Sequence, residues 1–528
     1  MMDATHQDLF ARAVSALALG MGRKPALYDH QGRPMRPSAS YQYRRTAAKR
    51  EGSLQNWIPQ RILNRQTETL ERERIVERSI DLTNNDPHAA GIVDNFATTV
   101  VGAGLRPHPT LDAGILGLGK EEVRRLQARM GAVFEAWSPW ADAAGRMTDG
   151  GIQFLLQCNM VQFGEFIVVL PMIRDIARPY SLAAQVIHPL RLKTPSDFYA
   201  KQNIRDGVEL GGYGQPEAYW IKKTDPNDPL RHTADISQNF LRIPARKGHR
   251  WNVIHRFIQR EPEQVRGWPF FAPAMKFFRD LNDYLDAELV ANVVTAAYAL
   301  FIESGELDPW TLAEGMAHHT DLETGKDEDR YEELIPGQIM YGKKGQKPHP
   351  IAANRPGTTF QVFVKEIKKA LAMSLNMPYV SLFKDVENTS YAGFRSALLD
   401  AWRVLSHRRS WLGENYGRPV RTMLLEEAWL RGDLPEIEDF YGNMHALSAC
   451  QWLGSPKGNI EPVKEIQADI LAIKNNLKTR AETIAEQNGD WRRTFEQLEE
   501  EKEDLEGRGL DPGLEEGPTR ETEPMEEQ

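Results

Sequence analysis

With 528 residues, 41% of them hydrophobic and twelve of them tryptophan, the chain has apolar material for several packed cores and is not a disordered polymer. Its formal charge of −9 is uneven: 496–528 holds fourteen Asp/Glu against three Lys/Arg, a net of −11, which leaves the other 495 residues at +2. That near-neutral body argues against a DNA-coating protein, and two cysteines, Cys158 and Cys450, argue against a disulfide framework and for a reducing compartment.

The opening "MMDATHQDLFARAVSALALGMGRK" lacks a charged region ahead of its apolar run and predicts no signal peptide. Residues 1–60 mix Arg, Gln, Ser and Gly with little periodicity and read as an extended arm. Helix is predicted from Glu71 to Leu82 and is broken by Asn84, Asn85, Asp86 and Pro87, where Asp86 suits an N-cap and Pro87 the first helical position. A second helix runs to about Val101 and stops at Gly102 and Gly104; a third covers Lys120 to Trp137. Three strand candidates follow, "EFIVVLPMI", "AAQVIHPLRL" and "EAYWIKK", with the turn "ELGGYGQPEAYW" joining two strands. Helices and strands alternate without a βαβ rhythm, so the class is α+β.

From Met275 to Ile302 apolar residues recur every three or four positions, which predicts one helix about 42 Å long. Its apolar end, Leu289 to Ile302, is too short to span a membrane. An insert with eleven acidic and two basic residues from Glu303 to Glu333 comes next, then the hairpin-like "GQIMYGKKGQKPHPI" with Lys343, Lys344 and Lys347 at its turn. A helix from Thr359 to about Asn376 leads the chain back. This is the plan of a stalk with a charged tip, a shape suited to assembly with copies of itself.

"LFKDVENTSYAGFRSALLDAW" then places a short polar loop before an amphipathic helix. In the loop Lys384 is offset by Asp385 and Glu387, with Asn388, Thr389 and Ser390 as neutral hydrogen-bonding side chains. The plainer reading is that Thr389 or Ser390 caps the helix. Along that helix Arg395, Arg403, His407, Arg408 and Arg409 either touch phosphate, pair with acids of a neighbouring subunit, or form a solvated face. The Gly- and Pro-rich end of the acidic tail reads as disordered.

No catalytic constellation emerges. There is no phosphate-cradling GxxxxGK[ST], HExxH, GxSxG or CxxC. His318 and His319 are adjacent and so point to different sides of a helix; they suit a surface, not a metal. His188 suits a strand end and Cys158 a buried thiol. No cofactor and no metal are expected.

"ERSIDLTNNDPHAAGIVDNFATTVVGAGLRPHP" resembles the N-terminal signature of lambda-type phage portal proteins. "VIHPLRLKTP" with "IRDGVELGGYGQPEAYWI" is similar to that family's strand pair, and "SLNMPYVSLFKDVENTSYAGFRSALLDAW" to its loop and following helix. "QWLGSPKGNIEPVKEIQADILAIKNNLKTRAETIAEQNGDWRRTFEQLEEEKE" looks like its C-terminal helical domain. The resemblance implies a portal fold, assembled as a ring of about twelve subunits at one capsid vertex, through which the terminase pumps double-stranded DNA and from which DNA later leaves.

By order it implies an arm at 1–60, a wing at 61–270, a stem helix at 271–303 and a clip at 304–356. A second stem helix at 357–380 and a tunnel loop at 381–390 follow. A long helix and return to the wing would occupy 391–449, a crown 450–503 and a disordered tail 504–528. Lys384, Asp385, Glu387, Asn388, Thr389 and Ser390 would face DNA; Lys343, Lys344 and Lys347 would pair between clips. Implied partners are copies of the chain, the large terminase subunit, capsid or scaffold protein and a head-completion protein, with no membrane. Each phosphate neutralised adds salt-dependent affinity, so a near-neutral body suits a conduit better than a clamp. Rival readings are a DNA-processing nuclease or ATPase, against which the missing P-loop and metal set count, and a head–tail adaptor, for which the chain is large.

Overall fold

The computed structural model describes residues 65–201, 203–223, 239–297, 300–303, 339–342, 360–387, 389–456, 458, 461–487, 489 and 491–509, with two short strands at 27–28 and 34–35. The chain divides into two units, Met1–Arg65 and Gln66–Gln528. In the first, Leu27–Tyr28 pairs antiparallel with Pro34–Met35; the rest of the expected arm lies outside the described residues.

Helix α1 (Arg65–Asn85) and helix α2 (Pro87–Val100) meet at Asp86, whose carboxylate accepts from Ala89 N at 2.7 Å while Pro87 opens α2. The cap works because an acceptor side chain and a residue without an N–H satisfy donors that a helix start leaves open. One face of α2 is buried through Ala89, Ile92, Val93, Phe96, Ala97 and Val100. The turn behind it needs Gly104, whose φ is +119° and where a Cβ would lie 2.9 Å from Gly150 Cα. Strand β1 (Arg106–Pro109) and helix α3 (Lys120–Trp137) follow, α3 with the bounds its periodicity predicts. Helix α4 (Asp149–Gln162), capped by Thr148, was not legible: its first turn carries two glycines and its apolar run reads equally as strand.

Strands β2 (Glu165–Val169), β3 (Gln185–Ile187), β4 (Ile204–Arg205), β5 (Val208–Leu210), β6 (Pro216–Lys222), β7 (Phe240–Pro244) and β8 (Val253–Phe257) form two antiparallel sheets, ordered β8-β2-β3 and β4-β5-β6-β7. All three expected strand segments are there, and the Gly-rich turn joins β5 to β6. Ile167, Ile187, Leu192, Val208, Tyr219, Ile221 and Val253 pack into a small core between the sheets.

Helix α5 (Met275–Ala297) is shorter than predicted. Leu300–Glu303 is instead a strand, β9, paired in parallel with β10 (Ile339–Gly342). The Leu-Phe-Ile run satisfies a helical period and a strand equally, and pairing with a segment 39 residues on decides for strand. The expected partner of 339–342 within a hairpin is thus replaced by β9; Lys343, Lys344, Lys347, His318 and His319 lie outside the described residues.

Helix α6 (Phe360–Ser374) returns, followed by the short α7 (Tyr379–Phe383) and by α8 (Tyr391–Leu412). A π-helical turn at Gly413–Gly417 joins α8 to α9 (Arg418–Arg431). Trp452 explains its two glycines: the indole lies so close that a Cβ at Gly413 or Gly417 would sit 2.4 Å from it. Tyr416, on this turn, donates to the buried Asp149 carboxylate at 2.9 Å, and Gln153 donates to the same group at 2.6 Å. Burial pushes Asp149 up to about 6, against those hydrogen bonds. Helix α10 (Phe440–Leu447) precedes strand β11 (Cys450–Leu453), which pairs antiparallel with β1. The expected crown at 450–503 therefore begins with a strand of the body.

Helices α11 (Pro462–Lys474), α12 (Arg480–Glu486) and α13 (Trp491–Gly507) end the described chain. The start of the expected disordered tail, 504–507, is helical. Local ion pairs, Arg508 to Asp504 at 2.7 Å and Lys502 to Glu506 at 3.9 Å, are compatible with helix in a run of like charges. A large core joins α2, α3, α4, the start of α5, the end of α6, α8, α9 and α10. Two cationic and two anionic groups lie buried at its margin: Arg266 pairs with Glu165 at 2.5 Å, and Arg72 with Asp206 at 2.6 Å. Among the described residues no helix is long and apolar enough to cross a membrane.

Candidate functional site

The loop between α7 and α8 is built from both sides. Pro378 fixes the start of α7, and Lys384 ends it in the left-handed conformation, at φ 54°. Asp385 then organises the turn. Its carboxylate accepts a short hydrogen bond from the Tyr379 hydroxyl and another from Glu387 N at 3.2 Å, and Lys365 of α6 stands 4.0 Å away. The Tyr379 bond foremost, with lesser help from Glu387 N, Lys365 and Lys368, holds the Asp385 carboxyl below its ordinary value. Thr389 N donates to Val386 O at 3.3 Å, and Ser390 is the N-cap of α8, accepting from Gly393 N at 3.2 Å.

The loop thus presents Lys384, Val386, Glu387 and Ser390 to the outside, while Asp385 and Thr389 are half-buried and Asn388 lies outside the described residues. Beneath it, Phe383 packs against Tyr379 and His88, with ring centroids 5.6 and 5.9 Å away, and the Lys368 ammonium stands 5.6 Å from its ring. Burial, and next the charge of Lys368, lowers the His88 pKa and favours a neutral ring. Tyr379, Lys365, Lys368 and His88 were missed in the sequence. Only the Tyr-x-x-x-Phe spacing of 379 and 383 hints that α7 turns an aromatic face inward.

The arginines of α8 separate. Arg395 is exposed and meets Glu461 at 3.8 Å; Arg403 and His407 are exposed. Arg408 lies half-buried over Phe270 and Phe96, at 4.0 and 4.9 Å. Arg409 is buried and donates to Val100 O at 3.0 Å and Thr99 O at 3.1 Å. The expected outward contact at Arg409 gives way to a cap on the last carbonyls of α2, which no other helical residue can satisfy.

His188 accepts from Leu190 N at 3.2 Å and stacks near Phe163, a structural strand-end role. Burial, and then the charge of Asp94, pushes the half-buried Cys158 thiol up to about 11. Among the described residues no three His, Cys, Asp or Glu side chains gather to hold a metal ion.

A long helix pair, a two-sheet α+β body and a polar loop at the head of α8 define a class that comparison makes explicit. The model of the family "Phage portal protein, lambda family" matches residues 50–409, most of the chain, and the chain belongs to that family. It is a bacteriophage portal protein. It is 24% identical to the portal protein of Escherichia phage N15 over 467 residues, covering 82% of this chain and 85% of that one. Portal protein B of Escherichia phage lambda is also 24% identical, over 466 residues, covering 82% and 84%. Among solved structures, a chain of the "Neck of native GTA particle computed with C12 symmetry" is similar at 13% identity and TM-score 0.37, over 76% of this chain and 89% of that one.

Proposed function

We propose that copies of this chain close into a ring of about twelve at one vertex of a phage capsid and line the channel through which DNA is packaged and ejected. Membership of the portal family over residues 50–409 is the observation that carries this reading. The protein acts without catalysis. The large terminase subunit drives DNA inward, capsid or scaffold protein surrounds the ring, and a head-completion protein joins it below. It assembles in the host cytoplasm and ends in the virion. The sheets and helices before α5 form the wing, α5 and α6 the stem, 381–390 the tunnel loop, α8 through β11 the long helix and return to the body, and α11 to α13 the crown; the clip expected at 304–356 lies, apart from 339–342, outside the described residues.

Two features of the described residues support it. Helix α5 leaves Leu289, Val290 and Val293 more than half exposed, and α6 does the same for Val362 and Met373, as faces awaiting a neighbouring copy do. The loop carries one exposed cation, Lys384, beside the acids Asp385 and Glu387, so sliding DNA meets little net charge.

Negative-stain microscopy of the purified chain tests the ring, and only monomers or dimers at every salt concentration would sink it. Deleting Asp385 to Asn388 should leave rings intact and impair packaging or retention of DNA. Loss of rings on that deletion would make the loop structural instead.

A further inference from the structure

Arg408 carries a charge that nothing among the described residues answers. Its guanidinium lies over the rings of Phe270 and Phe96. The Nε is closed off from solvent and has no hydrogen-bond partner, and among the described residues no carboxylate comes within ion-pair reach. The nearest influence is another cation: burial lowers the Arg408 pKa to about 10, and the charge of Arg260 adds to the effect. It stays protonated at neutral pH. Other inward-turned arginines are answered, Arg266 by Glu165, Arg72 by Asp206 and Arg409 by two carbonyls. A half-buried guanidinium whose Nε is closed off from solvent and unpaired weakens the isolated chain, and an acceptor brought from outside relieves that penalty.

We propose that Arg408, with Arg260 beside it, receives a carboxylate from a second copy of this chain when the ring closes. The inference rests on the ring reading above. DNA phosphate is the other anion such a site could hold, and distance decides between them. Arg408 lies eighteen positions along α8 from its cap Ser390, about 27 Å at 1.5 Å per residue, and the loop before Ser390 is the part read as meeting DNA. Arg403 and His407 are exposed on the adjoining face of α8.

Full-length Arg408→Met and Arg408→Lys chains, compared with the parent by sedimentation and by thermal unfolding of the unassembled form, test this. Methionine keeps the packing on Phe96 and Phe270 and removes the charge. The unassembled Arg408→Met chain should melt at or above the parent, while its self-association weakens at least about tenfold. Arg408→Lys should recover part of that loss. Undiminished assembly of Arg408→Met overturns the proposal, as does a melting temperature that falls together with assembly, since the arginine then only packs. Intact rings that retain duplex DNA less well would assign the site to phosphate and overturn it too. A parent chain that never closes into rings overturns the ring reading itself, and that result is in hand before any variant is compared.

Discussion

Glu165 shows what a single side chain does for this body. Fully buried on β2, it accepts from Arg266 at 2.5 Å, from Gly267 N at 2.9 Å and from His255 at 3.0 Å, and Arg72 of α1 stands 3.6 Å away. Burial alone would push its carboxyl up. The charge of Arg266 and the hydrogen bonds from His255 and Arg266 outweigh burial and hold it well below the usual range. Glu165→Gln removes the nearer counter-ion of Arg266 and leaves it only Asp206, 3.4 Å away; it should cost about 3–5 kcal/mol, read as a lower urea midpoint. Because the folded pKa lies below the unfolded one, this stabilisation is full above about pH 4.3 and is lost as pH falls toward the folded value. The gap between parent and variant should therefore be constant near neutrality and close in acid. None of this was legible: in "EFIVVLPMI" the glutamate reads as the polar edge of a strand, and its partners stand at 72, 255 and 266. Asp86 and Ser390 were legible as caps, because a cap is made with a residue three positions away.

Among the elements, the π turn at Gly413–Gly417 depends most on distant sequence. "GENYG" carries nothing that interrupts a helix except its glycines, and they are there because the Trp452 indole fills the space a Cβ would take. Gly413→Ala should destabilise the chain by about 1–3 kcal/mol through overpacking, with a lower melting temperature. Trp452→Leu in the same chain should recover part of it. No recovery would mean that the strain lies in the backbone and not against the indole. The element that was not predicted and the one that was misread share the cause. Helix α4 and strand β9 are apolar runs compatible with either period, and only their neighbours choose. Helices α2, α3 and α8 were legible because apolar spacing marks each one, with a capping side chain at the head of α2 and of α8.

For the molecule as a whole, the exposed apolar residues of α5 and α6 are hard to reconcile with a chain that works alone. Leu289→Glu should block self-association in sedimentation while moving the stability of the unassembled chain by no more than about 0.5 kcal/mol. Equal assembly of that variant would remove α5 from the subunit interface. By itself the sequence determined the α+β class, the portal family and the polar loop before α8. The class and the loop are written in local pattern, in spacing, capping residues and turn chemistry within a few positions, and the family in the resemblance of whole segments. Tertiary structure alone decided that Asp385 is held by Tyr379, that Arg409 caps α2 while Arg408 finds no partner among the described residues, that α5 ends at Ala297, and that the Trp452 indole fills the space beside Gly413 and Gly417. Apart from the Asp385–Tyr379 bond, made across six positions, those outcomes depend on which side chains meet across tens to hundreds of residues, and the balance of burial against pairing at each meeting is set only once the chain has folded.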